Sequence, residues 1–339
     1  MADSVLISVI VPTYNRKESL RQVLHALERQ SLSPDRFEVI VVDDGSTETV
    51  VDIAGESYPC NVRYLRQDNQ GDAAARNLGA RNSLAEILVF IDDDILVEPG
   101  YLDGMSRAVL EAEKCIVMGI THLWTEAVEA GSHRARSQRQ GPVEGEPPPF
   151  VDLCSNNMSV RREDYLAIGM MEGLGFPGSD IWCDVDFAYR AHLQGYTFTR
   201  APLAVAYHKD YVMENMDSLS QRMEKVGYRA AALFRKYPGL LPYLDMFRDK
   251  TPIHWGKDSP NLVSRKLLRW SASIRPALWA LKGLLYLVGR SGLFPQLAHP
   301  LRRWISGGYL YRGYRRGLRD FGMLSSPASV ELGAVQKAV

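Results

Sequence analysis

The stretch Glu86–Leu102, EILVFIDDDILVEPGYL, decides how the fold is read. Ile87-Leu88-Val89-Phe90-Ile91 is a short apolar run closed by polar residues, which predicts a buried strand, and Asp92-Asp93-Asp94 stand at its tip. A strand of this kind in an α/β sheet ends at a ligand crevice. Three adjacent carboxylates repel one another, and neutralising them by burial alone is costly. A hard divalent cation carrying phosphate oxygens resolves the conflict, so the triplet predicts a Mg²⁺- or Mn²⁺-nucleotide site. The competing reading is a solvated acidic turn ahead of a helix started near Pro99.

The flanking sequence supplies the rest of a sheet. Leu6–Val11 and Phe37–Val42 are β-branched runs, ended by Pro12-Thr13-Tyr14-Asn15 and by Asp43-Asp44-Gly45-Ser46. Val62–Leu65 reads as a short third strand. Leu20, Val23, Leu24 and Leu27 fall at helical spacing, and Ala73-Ala74-Ala75 favour a helix entered through Gly71. Strands and helices alternating with short connections predict an α/β fold with a doubly wound, mostly parallel sheet flanked by helices. Further on, Cys115–Trp124 and Phe150–Val160 read as strands, Glu163–Ile168 and Val185–Gln194 as helices, and Tyr196–Tyr207 as extended chain. The polar, Pro-rich residues 124–150 predict a mobile loop.

Length and charge bound the organisation. A chain of 339 residues suits one large α/β domain with an appendage; the expected division is a catalytic domain over 1–215 and a helical region over 216–339. The four cysteines, Cys60, Cys115, Cys154 and Cys183, form no C-x-x-C pair, which argues against a zinc site or a disulfide scaffold. No secretory signal or membrane span is visible. The zero net charge hides an asymmetry. Residues 1–260 hold 27 Lys/Arg against 38 Asp/Glu, whereas residues 261–319 hold 12 Lys/Arg and no carboxylate.

Six segments taken in order carry a resemblance: SVIVPTYNR (8–16), VVDDGS (41–46), NQGDAAARNLG (69–79), IDDD (91–94), NNMSVRR (156–162) and DVDFAYR (184–190). The set resembles the inverting family 2 glycosyltransferases of GT-A fold, over roughly residues 6–210. The resemblance implies a role for each matching residue. Pro12, Tyr14 and Asp44 would form the floor under the base of a nucleotide-sugar, a UDP-sugar by expectation, with Asn15 beside them. Arg76 would lie near the base and diphosphate. Asp92 or Asp93 would face the ribose, and Asp92 and Asp94 are the outer positions of the D-x-D metal motif. His208 matches a histidine that some members use as a further metal ligand. Asp184 stands where the family places its general base, but Cys183 replaces the usual Glu before it, so Asp180 or Asp186 is considered as compensation. Asn156, Asn157, Trp182 and Tyr189 are candidates for the acceptor pocket. The closing YLYRGYRRGLRD is similar to the tail of bacterial members that build surface polysaccharides.

The same roles make chemical sense. Sugar transfer expels a nucleoside diphosphate, whose charge a divalent metal stabilises, and a carboxylate can take the proton of the attacking hydroxyl. One base without a covalent nucleophile gives inversion. A dehydrogenase would need G-x-G-x-x-G after the first strand, and a sugar-nucleotide pyrophosphorylase a glycine-rich phosphate loop; Pro12-Thr13-Tyr14-Asn15 occupies that place. The remaining alternative is a catalytically degenerate relative acting as a binding or scaffold module.

The basic segment 261–319 threads its cations with Trp270, Trp279 and many leucines. That pattern suits amphipathic helices at an anionic bilayer surface, and no nucleic-acid recognition motif is present. The expectation is an enzyme on the inner face of the cell membrane, with a glycan or lipid-linked acceptor.

Overall fold

A computed structural model describes residues 5–124, 147–176, 180–209, 215–291 and 294–323. The chain divides into two compact units, Met1–Asp210 and Tyr211–Val339.

The first unit is built on an eight-stranded mixed sheet in the order β3-β2-β1-β4-β7-β6-β8-β5. The strands are β1 (Ile7–Thr13), β2 (Phe37–Asp43), β3 (Asn61–Arg66), β4 (Ile87–Ile91), β5 (Ile95–Val97), β6 (Cys115–Leu123), β7 (Asn157–Arg161) and β8 (Thr197–His208). β1, β2, β3 and β4 pair in parallel, as the continuous apolar runs of β1, β2 and β4 predict. β7 runs antiparallel to both β4 and β6, and β5 antiparallel to β8. Helices cover both faces. On one, α1 (Lys17–Leu27) and α4 (Tyr101–Leu110) bury Leu20, Val23, Leu24, Leu102 and Met105 against Val9, Val11, Val39 and Val89. On the other lie α3 (Asp72–Asn82), α5 (Arg162–Ile168) and α6 (Cys183–Leu193), with α2 (Val51–Ala54) a single turn elsewhere. There Gly79 lets α3 sit directly on Ile10 and Val42, while Tyr165 packs between Phe90 and Phe187 at 4.9 and 5.2 Å.

Two expectations change. Phe150–Val160 is not one strand: Phe150–Asp152 forms a 3₁₀ turn and only Asn157–Arg161 joins the sheet. Phe150 follows Pro149 and stacks on His192, so its aromatic partners rather than a ladder hold it. Conversely, Ile95–Val97 forms a strand the sequence did not announce, because three residues are too few to show alternation. Of the expected loop 124–150, residues 125–146 lie outside the described residues.

The second unit is helical: α7 (Met216–Lys236), α8 (Pro260–Ser273), α9 (Arg275–Ser291) and α10 (Ala298–Asp320), with short 3₁₀ turns between them. Asn215 caps α7 by accepting from Asp217 N at 2.8 Å, and Ser259 caps α8. Phe234, Phe247 and Tyr314 form an aromatic core. α7 and α10 meet backbone to backbone through Gly227 and Gly313; a Cβ at Gly313 would collide with the Glu224 carbonyl. Gly313→Ala is therefore expected to destabilise this unit by about 1–3 kcal/mol, read as a lowered urea midpoint at unchanged slope.

Candidate functional site

Three neighbouring parallel strands end on the same edge of the sheet, and their tips deliver the site. β1 ends in Pro12-Thr13-Tyr14, β2 in Asp43-Asp44 and β4 in Asp92-Asp93. Together with Arg16, Asn69, Gly71, Asp72 and Arg76, these residues line a cleft of about 330 Å³. Carboxyl ends of parallel strands are where open α/β sheets bind ligands.

Each anticipated residue has a definite place. Pro12 and Tyr14 lie at the cleft, Tyr14 exposed. Asn15 does not line it. It adopts a positive φ of 54°, and its Oδ1 accepts from Thr47 N and Oγ1 at 2.8 Å, tying the loop after β1 to the loop after β2. Asp44 is buried beneath the cleft; Gln67 Nε2 and Gln70 N donate to its Oδ1, and Gly71 N to its Oδ2. A carboxylate has about four acceptor positions, so one remains for a ligand N–H.

Arg76 is the most deeply buried cation among the described residues, 1% exposed. It donates to Asp72 Oδ2 at 2.9 Å and to Asp92 Oδ1 at 2.5 Å. Burial opposes its charge, but Asp92 and Asp72 outweigh it and hold its pKa well above the ordinary value. Breaking such a pair leaves buried charge without a counterion, at about 3–5 kcal/mol. Arg76→Met is expected to lower stability by that order in chemical denaturation.

The carboxylate triplet turns between β4 and β5. Asp93 points inward: Thr13 Oγ1 donates to it at 2.7 Å and Arg16 Nη1 at 3.1 Å. Burial pushes its pKa up to about 7. Asp94 accepts from Arg16 Nη1 at 2.6 Å through Oδ2. Its Oδ1 is buried without a hydrogen-bond donor, and His208 Nε2 lies 3.5 Å away. Burial works against ionisation of Asp94, yet His208 and Arg16 prevail and hold its pKa below the usual range. Asp92 has its pKa raised, first by burial and then by Asp94 and Asp72, against the pull of Arg76. The unannounced β5 explains why His208 is here: Ile95 pairs with His208 across the antiparallel β5–β8 ladder.

The three anticipated metal ligands do not make a ready three-ligand centre. Among the described residues no trio of His, Cys, Asp or Glu could hold an ion, and Asp92 Oδ1 is taken by Arg76. Asp94 Oδ1 and His208 Nε2 remain as a pair. Two protein ligands fit a cation that keeps waters and is completed by substrate phosphates.

Asp184 opens α6 and accepts from Val185 N at 2.9 Å. Burial raises its pKa; Val185 N and Arg76 oppose the rise, and Asp72 adds to it. The charges of the cleft are thus felt at Asp184. Cys183 is buried beside it, its thiol pushed well above the ordinary value. Neither proposed compensator simply replaces the missing Glu. Asp186 is buried and paired with Arg190 at 2.9 Å, and Arg190 in turn binds the carbonyls of Ile168 and Met170. Asp180 docks on the start of α3: its N donates to Asp72 Oδ1, and Ala73 N donates to its carboxylate.

The acceptor-pocket candidates have the following surroundings. Asn157 is buried, accepting from Tyr101 Oη at 2.7 Å and donating to Thr121 Oγ1 at 2.8 Å, so it ties β7 to α4 and β6. Tyr189 packs on Phe150. Trp182 stands at the start of α6 in the left-handed region, and Asn156 Oδ1 is buried without a hydrogen bond. Sequence reasoning passed over Thr13, Arg16, Asn69 and Asp72. Asp72 had a signal, since it lies four residues before Arg76 on one helix; Arg16 lay inside the quoted SVIVPTYNR stretch.

Comparison with known proteins agrees with this geometry. Residues 8–166 match the family model "Glycosyl transferase family 2". Validoxylamine A glucosyltransferase of Streptomyces hygroscopicus subsp. limoneus is 29% identical over 272 residues, covering 70% of this chain and 58% of that protein. An uncharacterized glycosyltransferase of Haemophilus influenzae is 46% identical over 89 residues, 26% of this chain and 29% of that one. The chain spans about three fifths of the length of the validoxylamine A glucosyltransferases it matches. The crystal structure of S. aureus TarS 1–349 in complex with UDP has a TM-score of 0.50 at 17% identity, covering 92% of both chains. Residues 8–166, a little under half of the chain, thus match glycosyl transferase family 2, and they form the part of the mixed sheet that carries the cleft.

Proposed function

We propose that this protein is an inverting glycosyltransferase that moves a sugar from a nucleotide-sugar, a UDP-sugar by preference, to a hydroxyl of a glycan or lipid-linked acceptor. The observation that carries the reading is the convergence of Asp44, Arg76, Asp92 and Asp93 on one cleft at the ends of β1, β2 and β4, with Asp94 joined to it through Arg16. The validoxylamine A glucosyltransferases and the UDP complex of TarS support the donor class.

In this reading Pro12 and Tyr14 receive the base, and the spare acceptor position of Asp44 takes a base N–H. Asp92, fixed by Arg76, faces the ribose, and Asp93 serves as its buried support. Asp94 and His208 would hold a Mg²⁺ or Mn²⁺ ion, which when bound stabilises the charge of the departing diphosphate. Arg16 pairs with Asp93 and Asp94 and lies at the cleft, where it would also meet an incoming phosphate. Asp184 takes the proton of the acceptor hydroxyl; its raised pKa makes it a stronger base than an ordinary carboxylate. With attack from the face opposite the leaving diphosphate, the anomeric centre inverts. The second unit is read as meeting an anionic membrane surface, where a lipid-linked acceptor is found.

The test is UDP release from a panel of UDP-sugars by the full chain with Mn²⁺. Metal-dependent release from at least one donor supports the reading. Tight UDP binding with no release from any donor, acceptor mixtures included, favours the binding-module alternative.

A further inference from the structure

The structure redistributes the basic segment in a way that changes how it would meet a membrane. Several of its cations are spent inside the second unit. Lys266 is 3% exposed and paired with Asp258 at 2.7 Å. Arg269 pairs with Asp249 and lies over Trp304. Lys282 binds Asp217 at 2.7 Å, and Arg316 binds Glu224 at 3.1 Å. A count of twelve charges therefore overstates the electrostatic attraction.

What the unit does present is apolar. α9 buries Leu278 and Val288 on its inner side. At 100° per residue, Trp279 falls on the opposite half, Leu284 on the flank between the two, and Tyr286 and Leu287 on the opposite half again. They are 81%, 45%, 63% and 61% exposed. The neighbouring α8 exposes Leu268 and Trp270 at 57% and 55%. A helix apolar on both halves is ordinarily enclosed, and an exposed patch of this kind marks an interaction surface. Arg275 and Arg290 stand at the two ends of the same outer half, both exposed, and no carboxylate occurs anywhere in 261–319. That charge pattern complements anionic lipid headgroups. The 17 residues of α9 span about 26 Å with Lys282 in the middle. No described helix is long and apolar enough to cross a membrane.

We propose that the outer half of α9, assisted by Leu268 and Trp270 of α8, is a monotopic insertion surface: the helix lies in the plane of an anionic bilayer, its aromatic and leucine side chains entering the acyl boundary and Arg275 and Arg290 at headgroup level. The proposal rests on the membrane reading given above and deepens it, replacing adsorption by charge with insertion by a defined face.

The full chain is tested by co-sedimentation with vesicles of phosphatidylcholine alone and with added phosphatidylglycerol. Salt is low, then about 1 M, where the Debye length is about 3 Å. Tryptophan quenching by acyl-brominated lipid is read in parallel, and UDP binding is followed as a control. The expected result is binding that prefers anionic lipid yet largely survives high salt, with quenching that falls in Trp279→Ser. The double variant Trp279→Ser/Leu287→Ser should bind about tenfold or more weakly, with UDP binding unchanged. Binding that salt abolishes and the double variant leaves intact overturns insertion while the membrane reading stands. Absence of binding to any vesicle overturns both. A concentration-dependent dimer lost in the double variant, without vesicle binding, assigns the face to a second copy and likewise overturns the proposal. In every arm UDP binding reports separately on the transferase reading.

Discussion

Asp184→Asn is expected to bind UDP as the unsubstituted protein does and to lose about a hundred- to ten-thousandfold in turnover, the range general-base help supplies. The amide keeps the size of the carboxylate and can still accept from Val185 N, which now holds Asp184 at 2.9 Å, so α6 should start as before. What it cannot do is take a proton. The pH profile gives an independent reading. Burial raises the Asp184 pKa; the base works only when ionised, so activity should rise with pH along a limb lying above the ordinary carboxylate range. In Asp184→Asn that limb should vanish. Steady-state kinetics with a turned-over donor and acceptor supply both numbers, and a loss of less than about tenfold would assign the base elsewhere.

Asp94→Ala is expected to abolish the Mn²⁺-dependent part of UDP binding while leaving the fold in place. Asp94 is the one member of the triplet with a buried oxygen that no donor satisfies, and His208 stands beside it. Asp93 is already committed to Thr13 and Arg16, and Asp92 to Arg76. The variant should therefore differ from Asp93→Asn, which keeps Asp94 and His208 and should keep the metal response. Calorimetric titration of UDP with and without Mn²⁺ separates the two. Equal UDP affinity in Asp94→Ala and the unsubstituted protein, with metal present, would remove Asp94 from the metal site.

The difference between what the chain announced and what it concealed follows from the range of the interactions. β1, β2 and β4 were legible because parallel strands buried on both faces must be continuously apolar, and their polar ends then mark the crevice. Arg76 was legible through resemblance, but its depth was not, since its enclosure depends on Asp92 across the sheet and Asp72 one helical turn back. β5 has three residues and no pattern, yet its pairing with β8 carries His208 to Asp94. Asn15 sat in a suggestive motif, but the tie it makes from the loop after β1 to Thr47 after β2 could not be read from sequence. Lys266 and Lys282 counted among the twelve cations facing a bilayer, because sequence composition cannot show that Asp258 and Asp217 come round to meet them.

The proposed function requires a nucleoside-diphosphate site whose affinity would depend on a metal held by Asp94 and His208. Thermal denaturation of the full chain with UDP, with and without Mn²⁺, tests it most directly. Stabilisation of about 2.7 kcal/mol is expected at a hundredfold excess of ligand over its dissociation constant, present with Mn²⁺ and much reduced without it. An unchanged midpoint with every nucleoside diphosphate, metal or no metal, would contradict it.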